Sequence, residues 1–164
     1  MSHPPPRIDE SLSQQERYDA LLAHLSGLIA GERDGVANLA NAAALLMGSL
    51  PDLNWAGFYL VREGELVVGP FQGLPACVRI AFGRGVCGTA AAERRTIVVP
   101  DVHAFPGHIA CDAASRSEIV VPLVKDGRLL GVMDLDSPSA ARFDATDAVG
   151  LEAFASRLVA GSDL

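Results

Sequence analysis

Three cysteines lie in the middle third of this 164-residue chain, at Cys77, Cys87 and Cys111. Cys111 belongs to the polar stretch GHIACDAASRSE, residues 107–118, which leads into an apolar run. A free cysteine is usually a buried core residue, and that is the alternative for each of the three taken singly. An odd number in a domain of this size is not a disulfide framework. In a reducing compartment a disulfide is more often transient and catalytic than structural, so the trio indicates thiol chemistry.

The residues after Cys111 bear on its reactivity. If Asp112 to Ser117 form a helical turn, Cys111 lies at the N-terminus of that turn. A helix N-terminus lowers the pKa of a thiol and favours the nucleophilic thiolate. We therefore expect Cys111 to be a reactive thiol that is positioned at the mouth of a pocket.

Acidic and aromatic side chains alternate along two of the predicted strands. Residues two or four apart on a strand share a face, so Trp55 and Tyr59 point one way, and Asp134 and Asp136 share a face of another strand. Glu118 begins the strand next to those two acids. Either this hairpin is at a sheet edge with solvated acids, or the five residues line one pocket. An acidic, aromatic-walled pocket suits a small cation such as the ammonium group of an amino acid.

The segment GRGVCG, residues 83–88, matches the G-x-G-x-x-G pattern of dinucleotide-binding loops. The helix after it is predicted to be only about two turns long, and the following chain forms a hairpin rather than another βαβ unit. Tight turns that need a positive φ explain the glycines better than a nucleotide cofactor does. We predict no bound cofactor.

Metal ligation is the other chemistry open to these side chains. His103, His108, Cys87 and Cys111 are potential ligands, and His108 and Cys111 are three residues apart. The chain has no Cys-x-x-Cys pair, whereas zinc sites normally combine two short-spaced pairs. We therefore predict that the protein binds no metal.

Hydrophobic periodicity predicts the elements that must position these residues. Two helices come first, and Ser11 or Ser13 is the expected cap of the first, Ser13 and Glu16 forming a capping box. Strands follow, with a short helix and a long loop between them, and a helix closes the chain. Such an order predicts an α+β fold with a mostly antiparallel sheet, helices on one face and a loop-covered pocket on the other. The predicted helices are 11–30, 35–47, 89–94 and 144–160; the strands are 54–61, 66–69, 77–82, 96–99, 118–125 and 128–136; the loop is 101–117.

Composition narrows the function classes. The formal net charge of −7 disfavours nucleic acid and anionic membranes as partners. No apolar run approaches the length of a membrane span, and the polar, proline-rich start has no secretory h-region, which predicts a cytoplasmic protein. We expect residues 1–12 to be a flexible tail and residues 13–164 to form a single domain.

Most of the chain after the tail resembles the free methionine-(R)-sulfoxide reductases, a family of single GAF domains. The resemblance is specific because its motifs contain all three cysteines and the acids. These motifs are NWAGFYL at 54–60, GPFQG at 69–73, ACVRI at 76–80, GRGVCGTA at 83–90, DVHAFPGHIACDAASRSEIVVPL at 101–123 and GVMDLDS at 131–137.

The resemblance implies a role for each of these residues. Cys111 matches the attacking cysteine and Cys77 the partner with which it forms a redox-active disulfide, while Cys87 matches a third cysteine of less defined role. The other matched positions belong to the substrate site: Trp55 and Tyr59 in its aromatic wall, and Glu118, Asp134 and Asp136 among its acids. Glu118 and Asp136 are the acids expected to act in catalysis.

The resemblance also implies a reaction and partners. Thiolate attack on free L-methionine (R)-sulfoxide would release methionine and leave a sulfenic acid, and a second thiol would then form a disulfide. Thioredoxin is the expected reductant, no cofactor is expected, and a homodimer is expected on the ground that GAF domains often dimerise. The alternative is a GAF domain that senses a small ligand, or a thiol redox sensor, without turnover.

Overall fold

A computed structural model describes residues 11–109 and 112–164 of the chain. Six strands form one antiparallel sheet, and four α-helices and a short 3-10 helix complete the fold. In chain order the elements are α1 (Gln14–Leu28), α2 (Gly35–Ser49), β1 (Trp55–Arg62), β2 (Glu65–Gln72), β3 (Arg79–Ile80), α3 (Gly85–Glu93), β4 (Ile97–Val99), the 3-10 helix (Val102–Ala104), β5 (Ser117–Lys125), β6 (Arg128–Ser137) and α4 (Ala145–Gly161).

The strand order is β3-β2-β1-β6-β5-β4, so β1 and β6 lie at the centre of the sheet. The β5–β6 hairpin turns at Asp126 and Gly127, which both adopt the positive φ that a tight two-residue hairpin requires. The strand with the two aspartates is therefore not at an edge. The alternative of solvated edge acids is wrong, because β1 and β5 cover β6 on both sides.

Helices α1, α2 and α4 pack on one face of the sheet and form the larger core. Phe58 of β1 and Met133 and Leu135 of β6 point into this layer and are buried there. The intervening residues of the same strands point to the opposite face, where α3 and the loops pack. This arrangement confirms the predicted α+β fold, and the capping box of Ser13 and Glu16 is present at the start of α1.

Two elements differ from the sequence prediction. The strand expected over 77–82 is reduced to Arg79–Ile80, since only those two residues pair with β2 at the sheet edge. The helix expected from Thr89 begins instead at Gly85, so Cys87 lies in its first turn. Gly83 and Gly85 have φ values of +80° and +60°, as the glycine-turn interpretation predicted.

No helix within residues 11–109 and 112–164 combines the length and apolar composition needed to cross a membrane. The tail expected over residues 1–12 lies mostly outside the described residues.

Candidate functional site

Strand pairing brings the predicted acids and aromatics to one face of the sheet. Asp136 of β6 lies opposite Trp55 of β1 and opposite Glu118 of β5. Asp134 lies opposite Gly57 of β1. Only 6% of Glu118 and 6% of Asp134 is exposed, so these carboxyl groups are core residues rather than surface ones.

Trp55 is the centre of an aromatic wall beside the acids. Its ring stacks on Tyr59 at 5.9 Å and on Phe71 at 5.2 Å between centroids, and its indole N–H donates to the Leu74 carbonyl at 3.1 Å. Gly57 makes this stack possible, because a Cβ there would collide with Phe71 and lie 2.8 Å from the Trp55 ring. The indole is thus held rigidly, with polar and apolar partners both satisfied.

Burial controls the protonation of the acids. It raises the pKa of Glu118 and of Asp136 well above the ordinary carboxyl range, and the negative charge of Asp134 raises both further. Burial also raises the pKa of Asp134, to about 6, while its neighbours Cys87 and Glu118 act to lower it. Burial thus favours the protonated form of Glu118 and Asp136 more strongly than that of Asp134.

One oxygen of Asp134 has no partner. Its Oδ1 is buried and lacks a hydrogen bond from any described residue. An unpaired buried carboxylate oxygen costs free energy unless a ligand or water supplies a donor.

Cys87 is a buried thiol at the base of the same pocket. Its Sγ donates a long hydrogen bond of 3.9 Å to Glu118 Oε1, and burial raises the thiol pKa well above its ordinary value, as does the nearby charge of Asp134. Cys87 is therefore protonated at neutral pH. It is placed to orient Glu118 rather than to act as a thiolate.

His108 approaches Glu118 from the loop that covers the pocket. His108 Nε2 and Glu118 Oε2 are 3.8 Å apart, a distance that is within the range of an ion pair. Burial, however, lowers the pKa of His108 and raises that of Glu118, the reverse of what a stable ion pair produces. We conclude that the contact joins two neutral groups.

Asn54 anchors the residues after Cys111 to the sheet. Its side-chain amide donates to Asp112 Oδ2 at 2.9 Å and to Ser115 Oγ at 3.0 Å, and its backbone N–H donates to the Asp136 carbonyl. The sequence argument for a reactive Cys111 depended on a helix after it, and no helix is present over residues 112–116. The Ser115 N–H donates to the Asp112 carbonyl and closes a single turn. The helix-dipole reason for a reactive Cys111 is therefore removed.

The three cysteines are in different situations. Cys87 is free, whereas Cys77, half-buried two residues before β3, is disulfide-bonded. Cys111 lies outside the described residues, so its predicted approach to Trp55 and to the acids stays a prediction.

The potential metal ligands named from the sequence are not the residues that the structure brings together. His103 is exposed, while His108 is in the pocket. Among the described residues, ligand atoms of Cys87, Glu118 and Asp134 lie within 4.8 Å of one another and could hold a cation. The prediction of a metal-free protein stays a prediction.

The three acids, Cys87, His108 and the aromatic pair Trp55 and Tyr59 line one pocket. Trp55, Tyr59, Glu118, Asp134, Asp136 and Cys87 were predicted from the sequence and are brought together. Sequence reasoning did not place several other residues in this pocket, all of which lie inside the quoted motifs except Leu74 and Pro75. These are Leu74, Pro75, Ala76, Ile80, Arg84, Gly85, Val86, His108, Ile109, Asp112 and Ser115.

An antiparallel sheet with a ligand-sized pocket under loops defines the class of the protein. The GAF domain family model matches residues 20–160, and the chain belongs to that family. A free methionine-R-sulfoxide reductase of *Escherichia coli* is 51% identical over 90% of this chain and 89% of its own length. Within the GAF domains, the chain belongs to the free methionine-R-sulfoxide reductase family, a family of oxidoreductases.

Solved structures agree with this placement. The free methionine-R-sulfoxide reductase of *Neisseria meningitidis*, solved in complex with its substrate, superposes with a TM-score of 0.90 at 48% identity, over 96% of this chain and 95% of that one. A putative GAF sensor protein from *Burkholderia vietnamiensis* superposes with a TM-score of 0.89 at 60% identity, over 92% of this chain and 96% of that one.

Proposed function

We propose that this protein reduces free L-methionine (R)-sulfoxide to L-methionine with its own thiols. The observation that carries the proposal is the buried group of three acids facing the Trp55 stack in one pocket. Methionine sulfoxide combines an apolar S-methyl end with a polar sulfinyl oxygen that accepts hydrogen bonds, and this pocket offers an aromatic surface and buried carboxyl groups to match. The relatives named free methionine-R-sulfoxide reductase support the same reaction.

In the proposed chemistry the Cys111 thiolate attacks the sulfoxide sulfur. Glu118 or Asp136 gives a proton to the sulfoxide oxygen, since burial raises the pKa of both carboxyl groups and favours their protonated form. Two electrons pass from the cysteine sulfur to the substrate. The bond from Cys111 to the substrate sulfur forms as the protonated oxygen leaves that sulfur as hydroxide. Hydroxide then attacks the Cys111 sulfur, methionine leaves as the sulfur–sulfur bond breaks, and Cys111 becomes a sulfenic acid.

The oxidised cysteine is then returned to a thiol in two further steps. Cys77 condenses with the sulfenic acid, which releases water and forms a disulfide. A dithiol protein of the thioredoxin type exchanges with that disulfide, becomes oxidised itself and leaves two cysteine thiols on this chain. We place the cycle in the cytoplasm, where such reductants operate.

Asp134 and the Trp55 stack hold the substrate. The ionised Asp134 carboxylate, with its unpartnered Oδ1, is the counter-charge for the substrate ammonium group. Trp55 and Tyr59 contact the S-methyl end, where aromatic rings favour sulfur. Cys87 acts as a positioning residue through its contact with Glu118.

A sensor without turnover is the second candidate, favoured by the name of the *Burkholderia* relative. The two functions are separated by incubating the protein with each epimer of free methionine sulfoxide and excess dithiothreitol, and counting the methionine formed. We expect turnover of the R epimer only, and none in Cys111→Ser. Binding of the R epimer without methionine formation would establish the sensor instead.

A further inference from the structure

Asn54 lies one residue before β1 and connects this strand to the segment 112–116. Its side-chain amide donates to Asp112 Oδ2 at 2.9 Å and to Ser115 Oγ at 3.0 Å. A carboxylate only accepts hydrogen bonds, so the contact with Asp112 fixes which end of the amide carries the donors. Asp112 and Ser115 both line the pocket, whereas Asn54 is not among its described lining residues.

The same asparagine holds Asp136 by two routes. The Asn54 backbone N–H donates to the Asp136 carbonyl at 3.0 Å, where β1 pairs with β6. Ser115 Oγ accepts from the Asn54 amide and keeps its own O–H, which donates to the Asp136 carboxyl group. Ser115 is only 4% exposed, so water does not compete for this hydroxyl. The orientation of the Asp136 carboxyl group therefore depends on Asn54 through Ser115.

The two side chains that Asn54 holds act on Asp136 in opposite senses. Burial raises the pKa of Asp136, the charges of Asp134 and Asp112 raise it further, and the hydrogen bond from Ser115 lowers it. A displacement of Asp112 or of Ser115 would therefore change both the direction of the Asp136 carboxyl group and its hold on a proton.

The amide oxygen of Asn54 argues against a purely structural role for this side chain. Asn54 Oδ1 is buried and has no hydrogen-bond partner among the described residues. A buried acceptor without a donor costs about 1–3 kcal/mol, and an apolar side chain of similar size would avoid that cost. An apolar side chain could not, however, supply the N–H donors that hold Asp112 and Ser115. These donors are therefore what position 54 contributes.

We propose that Asn54 is a positioning residue for the reaction, which holds Asp112 and Ser115 so that the Asp136 carboxyl group is aimed at the bound substrate. This inference rests on the proposed function, in which Asp136 is one of the two acids that protonate the sulfoxide oxygen. Asn54 acts only through its partners and does not touch the substrate. Asp112 directly follows Cys111 in the sequence, so the same side chain also restrains the residue next to the proposed nucleophile.

The test measures reduction of free methionine (R)-sulfoxide with excess dithiothreitol by the wild type, Asn54→Ala, Asn54→Asp, Ser115→Ala and the double variant Asn54→Ala/Ser115→Ala. Asn54→Asp keeps the size of the side chain without the N–H donors, so it replaces Asn54→Ala if that variant folds poorly. Asn41→Ala is the control, since Asn41 is exposed on α2, which packs on the opposite face of the sheet. Hydrogen exchange of residues 112–118 and urea unfolding are measured on each protein and need no turnover.

We expect Asn54→Ala and Asn54→Asp to lower kcat about tenfold while KM changes less than about twofold, because a misdirected acid slows the chemical step more than binding. The double variant should lose less than the product of the two single losses, since both changes interrupt one connection to Asp136. Hydrogen exchange of residues 112–118 should quicken about tenfold in Asn54→Ala, and the rest of the chain should keep its wild-type exchange. Asn41→Ala should match the wild type in every measurement.

A wild-type kcat in both Asn54 variants would overturn the proposal. So would single losses that multiply in the double variant, or a fall in kcat no larger than the fraction of protein that urea unfolding shows to be unfolded. Failure of the proposed function looks different: the wild type itself would form no methionine from the (R)-sulfoxide, while exchange of residues 112–118 would still quicken in Asn54→Ala.

Discussion

Glu118, Asp134 and Asp136 line one wall of the pocket, and burial raises the pKa of each by a different amount. Asp134, with a pKa of about 6, is the first to ionise, and its charge then keeps the other two protonated. A single wall thus holds three carboxyl groups whose tendencies to ionise differ.

Replacement of Glu118 tests the role of the protonated acid. Glu118→Gln keeps the shape and a hydrogen-bond donor but cannot release a proton, so we expect single-turnover formation of methionine to slow about 100-fold or more. The measurement is rapid-quench analysis with enzyme in excess over the (R)-sulfoxide. Glu152→Gln, the same change on an exposed face of α4, is the control. An unaltered rate would assign the proton to Asp136.

Residue types and their alternation were sufficient to predict the acids and the aromatic pair. Trp55, Tyr59, Asp134 and Asp136 follow the period of two of a strand, which is a local property. Asn54 and His108 were missed because their roles depend on which loop returns to which strand. A polar residue in a loop carries no local sign that it will hold a turn 58 residues away, as Asn54 does for Asp112.

At the scale of elements, the sheet centre was predictable and the glycine-rich segment was not. The β5–β6 hairpin follows from its apolar runs and the Asp126-Gly127 turn. Helix α3 begins four residues earlier than expected. The sequence prediction began it at Thr89 because glycine disfavours helices in isolation. Here Gly88 is required by a close approach of the backbone to the Ala81 carbonyl, a tertiary contact that outweighs propensity.

The pairing of β1 with β2 predicts that Gly57 is essential to the aromatic wall. In Gly57→Ala the new methyl group must displace Phe71 or Trp55, so we expect the affinity for L-methionine to fall about tenfold or more as packing in the stack is lost. Because the chain has a single tryptophan, its fluorescence reports directly on the displaced ring.

The control for Gly57→Ala is Gly27→Ala in α1, where nothing lies within 4 Å of the added methyl group. It should leave binding and fluorescence unchanged and should stabilise the helix by up to about 1 kcal/mol. Wild-type fluorescence and affinity in Gly57→Ala would show that the stack is not the substrate wall.

For the whole molecule, the two faces of the sheet serve opposite purposes. The face under α1, α2 and α4 is an apolar core, and Asp147, its only buried carboxylate within residues 11–109 and 112–164, accepts a 2.6 Å hydrogen bond from the Tyr18 hydroxyl. The other face buries three carboxyl groups without a cation among the described residues. Such burial costs stability, and the apolar face is what allows the fold to tolerate it.

That cost has a defined dependence on pH. The ordinary pKa of an aspartate is 3.8 and that of Asp134 in the fold is about 6, so between these values the folded state holds a proton that the unfolded chain releases. The free energy of unfolding therefore falls as pH rises through this window, and the loss from Asp134 stays constant above it. A shift of about two units corresponds to a loss of up to about 3 kcal/mol.

Asp134→Asn removes this group, so its effect on stability should grow with pH. We expect the variant to be more stable than the wild type by only about 1 kcal/mol near pH 4.5 and by up to about 3 kcal/mol near pH 7.5. Urea unfolding at both pH values, with excess reductant to keep every cysteine a thiol, gives the comparison. Asp52→Asn, an exposed site, should show the same small effect at both. A stability gain in Asp134→Asn that did not change with pH would mean that Asp134 does not bind its proton more tightly in the fold.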